Sequence, residues 1–351
     1  MFEIFGIPST ALFGQLLLGL INGSFYALLS LGLAVIFGML NIVNFSHGAQ
    51  YMMGAFMAYL LLQYFDVNYF LALLIGPIIV GIAGVIIERN LISQLYRQSK
   101  LRIIVFLASL AILGVLMSLF LDPMLSVVIA IMAAAIIAEL TFLVVPFESA
   151  SEPTEHIYGL LLTFGLALIT EGLFRHQYGS AGLPYTPPEV LTGGRNLGFM
   201  FLPNYRAWVI AVSLVVCFAT WFVIERTKLG SYLRAATENP TLVRAFGINV
   251  PRMITLTYGF GVGLAGLAGV LAAPAYNVSP QMGSDLIIVV FAVVVIGGMG
   301  SIMGAIVTGF ALGIVEGLTK VFWSEASSTV IFVIMAIVLL IRPAGLFGRS
   351  A

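Results

Sequence analysis

Twelve polar side chains stand in or beside stretches that are otherwise apolar: Asn22, Asn41, Asn44, Ser46, His47, Gln50, Thr163, Thr170, Glu171, Asn277, Asp285 and Glu316. Amides and hydroxyls dominate the set. Such groups donate and accept hydrogen bonds without carrying charge, which suits them to hold and release a polar solute. An amide or charge inside an apolar span is costly and ordinarily faces a pathway or a partner. The run Asn41-Ile42-Val43-Asn44-Phe45-Ser46-His47-Gly48, with Gln50 just beyond it, is dense enough to line a cavity. Asn22, Asn41, Asn44, Ser46, His47 and Gln50 are therefore the candidate substrate-pathway residues. For His47, a hydrogen-bonding structural role at a helix end competes with a site role. Glu171 and Glu316 sit near segment ends and are expected to snorkel toward water.

Bond-making chemistry finds little support. Ser46 and His47 are neighbours in sequence, which does not by itself set a nucleophile against its base. There is no Gly-Lys dipeptide, hence no P-loop, and no HExxH, CxxC or Cys/His metal cluster. No apolar segment pairs an acid with a base as a proton-coupled pump would. The expectation is a chain with no catalytic site, metal or cofactor, whose energy source belongs to a partner. The single cysteine, Cys217, lies in an apolar run and reads as a small packing residue.

What must position these residues follows from composition. Of 351 residues, 61% are hydrophobic and 9% charged, and the mean hydropathy is +1.11. A soluble domain carries about a quarter charged residues, so the surface of this chain cannot be covered against water. In hydrocarbon the backbone must satisfy itself internally, which leaves helices or closed barrels. Long, unalternating apolar runs select helices. The formal net charge is zero, which excludes an electrostatic nucleic-acid binder.

Run length divides the chain. Apolar segments occupy residues 12–37, with an apparent break at Asn22-Gly23-Ser24, then 49–64 and 70–87. After a charged loop at 88–102 come 103–121 and 124–145, joined by Asp122-Pro123 as a tight hairpin. Segments 157–174, 207–224 and 253–273 follow, separated by a polar stretch at 175–206 and a basic loop at 225–252. Segments 286–296 and 302–318 are split by Gly297-Gly298-Met299-Gly300-Ser301, and 329–341 is last. The result is an all-α polytopic membrane protein with about 10–11 transmembrane segments, some short or broken. Gly259, Gly261, Gly263, Gly266 and Gly269, then Gly300, Gly304, Gly309 and Gly313, mark faces for close helix packing.

Orientation follows from Lys and Arg. Loop 88–102 holds Arg89, Arg97, Lys100 and Arg102; loop 225–252 holds Arg226, Lys228, Arg234, Arg244 and Arg252; the tail holds Arg342 and Arg349. These eleven of the fifteen basic residues place all three segments in the cytoplasm. Parity then requires Gly297 to Ser301 to be a tight turn near the cytoplasmic face, with the N-terminus outside. The first apolar run has no preceding Lys or Arg and is too long for a signal-peptide core, so it reads as an uncleaved span.

Within the basic loop, Asn239-Pro240 through Phe246 and Gly247 spells a short capped helix. Asn suits the N-cap, Pro the first helical position, and Gly the left-handed residue past the end. About two turns are not stable alone, so something must pin them. Leu242, Val243 and Phe246 make an apolar strip beside Arg244. A connector lying on the membrane surface and a docking helix for another protein fit these residues equally.

Four stretches, in this order, resemble the LivH-type permeases of ATP-binding-cassette importers for branched-chain amino acids. They are Asn22-Gly23-Ser24-Phe25-Tyr26-Ala27-Leu28 through Asn44-Phe45-Ser46-His47-Gly48, and Ala235-Ala236-Thr237-Glu238-Asn239 through Ala245-Phe246-Gly247-Ile248-Asn249. The others are Ile296-Gly297-Gly298-Met299-Gly300-Ser301 with Gly304-Ala305, and Arg342-Pro343-Ala344-Gly345-Leu346-Phe347-Gly348. The family passes almost directly from a loop like 88–98 to a stretch like 156–170, so a hairpin at 100–151 is an insertion here. The resemblance implies a type II importer-like permease, one domain over 1–351, with the coupling loop at 225–252. It also implies a second homologous permease, two cytoplasmic ATPases that use the ATP, a periplasmic solute-binding protein, and a multi-pass place in the bacterial inner membrane. Glu238, Asn239, Leu242, Val243, Arg244, Phe246 and Gly247 would then be the ATPase-coupling residues. A permease for urea, short amides or another small polar solute is the nearest alternative; an ion-coupled secondary transporter or an intramembrane enzyme would be of a different class.

Overall fold

A computed structural model of the chain describes residues 3–4, 7–40, 44–93, 100–118, 126, 129–137, 156–198 and 200–348. The first long helix, α1, runs Ser9–Leu40 after a two-residue hairpin of β1 (Glu3–Ile4) and β2 (Ile7–Pro8). Then come α2 (His47–Phe65), α3 (Tyr69–Ile87, ending in a π turn over Glu88–Ile92), α4 (Lys100–Ser118) and α5 (His156–Tyr178). A short antiparallel pair, β3 (Gly194–Asn196) and β4 (Phe201–Pro203), precedes α6 (Asn204–Arg226). Helices α7 (Lys228–Glu238) and α8 (Pro240–Ala245) fill the basic loop. The chain finishes with α9 (Val250–Ala272), α10 (Met282–Gly297), α11 (Ile302–Phe322) and α12 (Val330–Ile341).

Among the described residues, six helices (α1, α3, α5, α6, α9 and α11) are long and apolar enough to cross a membrane. Helix α10 has 16 residues, about 24 Å at 1.5 Å per residue, short of the ~30 Å hydrocarbon core. Helix α12 has 12 residues and is shorter still. The expected break at Asn22-Gly23-Ser24 is absent: α1 is one helix of 32 residues. The glycine there serves packing instead. A Cβ on Gly23 would press on the Phe310 backbone of α11, while Ser24 Oγ donates back to Leu20 O at 2.9 Å within the helix.

Glycine against backbone recurs at the central contacts. Gly19 and Gly23 of α1 meet Gly309 and Gly313 of α11, and Gly32 of α1 meets the Gly261 carbonyl of α9. Gly54 of α2 lies on the Gly266 backbone of α9, and Gly48 at the start of α2 interlocks with Gly283 at the start of α10. Helices α1, α2 and α9 are thus the buried centre, and α3, α5 and α6 turn apolar faces outward through residues such as Leu74, Ile78, Leu168, Ile169, Val215 and Phe218.

The ends of the bundle have different characters. On one, Thr255 of α9 donates to Glu88 after α3, and a small cavity is lined jointly by Gly38, Glu225, Gly230, Arg234 and Gly300. The turn between α10 and α11 lies on this basic face, with Gly298 and Gly300 at φ +99° and +81°, as parity requires. The tail closes over it: Leu346 N donates to Ile296 O at 2.8 Å, and Phe347 N to Gly297 O at 3.1 Å. On the opposite face, Leu183 and Val278 exchange both backbone hydrogen bonds, and Tyr205 OH donates to Leu271 O at 2.8 Å. The stretch at 175–206 is thereby pinned to the α9–α10 connection. Around the expected insertion, Phe106, Ala134 and Ala135 pack with Leu91 and α5, whereas Ile104, Ile112 and Ile136 are exposed. Its Asp122-Pro123 turn lies outside the described residues.

Two alanine substitutions test the packing rule by sign. In a helix Ala is favoured over Gly by about 1 kcal/mol. Gly165→Ala on α5, where a Cβ meets no atom, should keep or raise the melting midpoint of the purified chain in detergent. Gly54→Ala drives a Cβ into the Gly266 backbone and should lower it, with overpacking costing about 1–3 kcal/mol. Scanning fluorimetry on both variants is the measurement; equal shifts would contradict the close seam.

Candidate functional site

The polar residues singled out along the first third of the chain separate into two places, and Asn41 lies outside the described residues. Asn44, Ser46, His47 and Gln50 are buried together at the start of α2. Asn44 Oδ1 accepts from Ser46 N at 3.1 Å and from Ser46 Oγ at 2.6 Å, closing a turn that launches the helix. Gln50 Nε2, one turn on, donates to Ser46 Oγ at 3.1 Å. Tyr258 of α9 completes the knot: its hydroxyl accepts from Asn44 Nδ2 at 3.1 Å and from Gln50 Nε2 at 3.4 Å. The His47 Nε2 atom is 3.0 Å from Leu29 O of α1, and Phe45 N donates to Thr163 Oγ1 of α5 at 3.2 Å. This run therefore ties four helices together. Tyr258 was not among the sequence candidates; its signal was a phenol heading the Tyr258-Gly259-Phe260-Gly261 run.

Asn22 sits elsewhere. It lines a cleft of about 300 Å³ with Phe25, Tyr26, Tyr51, Tyr276, Asn277, Ser279, Met282, Asp285 and Leu286. The cleft opens on the face opposite the basic loops, where α1, α2 and the start of α10 meet. Tyr276 OH donates to Asn22 Oδ1 at 3.2 Å, and the Tyr276 ring lies 5.5 Å from that of Phe25. Behind the wall, Tyr26 OH donates to Glu316 Oε2 at 2.7 Å, and Lys320 Nζ to Glu316 Oε1 at 2.6 Å. Two expectations are corrected here. Glu316 does not snorkel but is buried, and α11 does pair an acid with a base because the helix continues to Phe322 and brings Lys320 one turn below Glu316. Glu171 pairs in the same i, i+4 manner with Arg175 at the end of α5.

On the basic face the capped helix forms as the residues dictate. Asn239 Oδ1 accepts from Leu242 N at 3.0 Å, Pro240 is the first helical residue, and Gly247 has φ +81°. The strip divides, however. Val243 is buried with Ala236 and Val250, so it is unavailable to a partner, whereas Leu242 and Phe246 are 54% and 77% exposed. Arg244, Glu238, Asn239 and Gly247 are exposed around them. Helix α7 was not foreseen; Gly230 lets it fold back tightly on the Ile224 backbone at the end of α6. Together α7 and α9 are what pin α8.

The knot yields a prediction. Tyr258→Phe keeps the ring but removes the acceptor for two buried amides, which costs about 1–3 kcal/mol. Thermal unfolding in detergent should show the loss, and a midpoint unchanged from the parent would mean that the knot is not a structural element.

The family described as "Branched-chain amino acid transport system / permease component" matches residues 15–121 and 101–340. The high-affinity branched-chain amino acid transport system permease protein BraD of Pseudomonas aeruginosa is 26% identical over 343 residues, 95% of each chain. The corresponding LivH protein of Salmonella typhimurium is 27% identical over 345 residues, again 95% of each. The ribose import permease protein RbsC of Escherichia coli is 30% identical, but over only 33% of this chain and 38% of its own. No solved structure matches the chain. A glycine-packed helical bundle, a capped helix on its basic face and a match running nearly end to end lead to one assignment: this chain belongs to the branched-chain amino acid transport system permease family and is a multi-pass membrane permease subunit of an importer.

Proposed function

We propose that the chain forms half of the translocation unit of an ATP-driven importer for branched-chain or related amino acids in the inner membrane. A second, similar permease supplies the other half. Two ATPases dock on the cytoplasmic side at α7–α8, a solute-binding protein delivers substrate on the other side, and this subunit has no ATPase site of its own. The observation that carries the reading is the match to branched-chain amino acid permeases over 95% of the chain. The likeness to the ribose permease covers a third of the chain, and so speaks for a shared scaffold rather than a shared sugar. Residues 100–151 are proposed to be a peripheral insertion.

The docking assignment rests on α8. Its caps fix both ends, Val243 anchors one side to the bundle, and Phe246 projects outward at 77% exposure. An amphipathic helix entering a groove is a common recognition mode. Losing one buried aromatic anchor costs about 2 kcal/mol, or roughly thirtyfold in association.

Uptake in proteoliposomes, with candidate partners added singly, tests the whole reading. Leucine should accumulate only when ATPases, ATP, binding protein and both permeases are present. Accumulation of urea or a short amide in its place would favour the alternative solute class, and ATPase-independent uptake would point to a secondary transporter. Within that system, Phe246→Ala should lower retention of the ATPases about thirtyfold, while Arg206→Ala on the opposite face should spare it. Pull-down of both variants decides; full retention by Phe246→Ala would remove α8 from the coupling role.

A further inference from the structure

The cleft on the face opposite the basic loops has a composition that the packing of the fold does not require. Ligand clefts commonly measure about 300–1,000 Å³ and combine apolar walls with a few convergent polar groups; this one, at about 300 Å³, is at the small end. Its apolar part is Phe25, Met282 and Leu286. Its polar part is the exposed carboxylate of Asp285 with the amides of Asn22 and Asn277. Among the described residues no base lines it; Lys320, near its wall, is held by Glu316 at 2.6 Å, and the charge of Arg206 reaches the lining residue Tyr276.

The hydrogen bonding assigns the amide. Asn22 accepts from Tyr276 through Oδ1, which leaves its Nδ2 as the donating end. Tyr26, also in the lining, is held in place from behind by its bond to Glu316. Both residues rise from α1, whose glycine contacts with α11 hold it rigidly. The opposing wall, residues 276–279, is fastened to the outer stretch by the Leu183–Val278 backbone pair and by contact of Asn277 with Gly182. Asn22 and Tyr26 are therefore preorganised, which lowers the ordering cost of binding.

From this arrangement we propose that the cleft is a recognition site for a small zwitterion with an aliphatic side chain. The Asp285 carboxylate pairs with the ligand's ammonium, the amide nitrogens of Asn22 and Asn277 donate to its carboxylate, and Phe25, Met282 and Leu286 cover its side chain. The site rests on the reading of the chain as an amino-acid permease and adds where, and by which groups, it meets its substrate. It also divides the sequence candidates: Asn22 touches ligand, whereas Asn44, Ser46, His47 and Gln50 hold helices together. Among the described residues no base pairs with Asp285, so its carboxylate gives attraction without a tight charged trap, and release remains fast.

Cysteine protection tests it directly. Cys217 is the chain's one cysteine and is buried, so Cys217→Ala with Ser279→Cys places a single thiol in the cleft lining. In the assembled transporter, L-leucine should slow modification of that thiol by a soluble maleimide. The acid lacking the amino group, 4-methylpentanoate, should not. Asp285→Asn should abolish protection and Asp285→Glu should retain part of it, with assembly of each variant checked by size-exclusion chromatography. If leucine is taken up but never protects the thiol, or protects it equally in Asp285→Asn, the cleft is not the site although the transport reading stands. If leucine is neither taken up nor protective while a neutral amide is both, the amino-acid reading itself fails, and the site as proposed falls with it.

Discussion

Close approach of backbone to backbone is the constraint on which the rest of this molecule depends. In lipid the tails surrounding a helix are as apolar as leucine, so burying leucine against leucine supplies no net drive. What remains is dispersion and weak polar contact between surfaces that fit, and both fall off steeply with distance. The Gly19–Gly313, Gly54–Gly266 and Gly48–Gly283 contacts bring main chains together where any side chain would intervene. They set the positions of α1, α2, α9, α10 and α11, and those helices carry nearly every polar group of interest.

Given that frame, the polar groups fall into distinct duties. Buried amides without solvent need partners, and the α2 start supplies them: Asn44, Ser46, Gln50 and Tyr258 satisfy one another across two helices. The Tyr26–Glu316–Lys320 chain does the same between α1 and α11, with a charge compensated inside the bundle. With the Lys320 side chain 36% exposed, the pair adds little net stability, but Glu316 fixes the orientation of Tyr26 at the cleft wall. Asp285, by contrast, is exposed at the cleft, on the first turn of α10.

The two ends of the bundle are linked by the same elements. Helix α10 starts at the cleft with Met282 and ends in the Gly297–Gly298 turn under the tail, on the face where α7 and α8 lie. Helix α9 joins α8 at one end to the connection that lines the cleft at the other. Val243 and Val250 seat α8 directly on α9, with no intervening flexible stretch between their apolar faces.

Much of this was legible in residue order. Apolar run length placed the long helices to within a few residues, the distribution of Lys and Arg identified the basic face, and Asn239, Pro240 and Gly247 specified α8 with both caps. These are local properties: a helix cap or an apolar run is decided by neighbours in the chain. What residue order left open was every choice that depends on a distant partner. Asn22-Gly23-Ser24 reads as a break until α11 is there to fill the groove at Gly23. Lys320 reads as lying beyond its segment until α11 is seen to extend past it. Val243 and Phe246 read as one strip until α9 buries the first and leaves the second exposed. In the run from Asn44 to Gln50, residue order could not show that Tyr258, more than two hundred residues away, takes up hydrogen bonds from Asn44 and Gln50 while Phe45, Gly48 and Ala49 line a small pocket. Chemistry and local geometry were therefore set by the sequence itself, whereas tertiary structure alone decided which polar groups satisfy each other and which, like Asp285 and Asn22, face the cleft, because hydrogen-bond satisfaction in a membrane bundle is settled between helices.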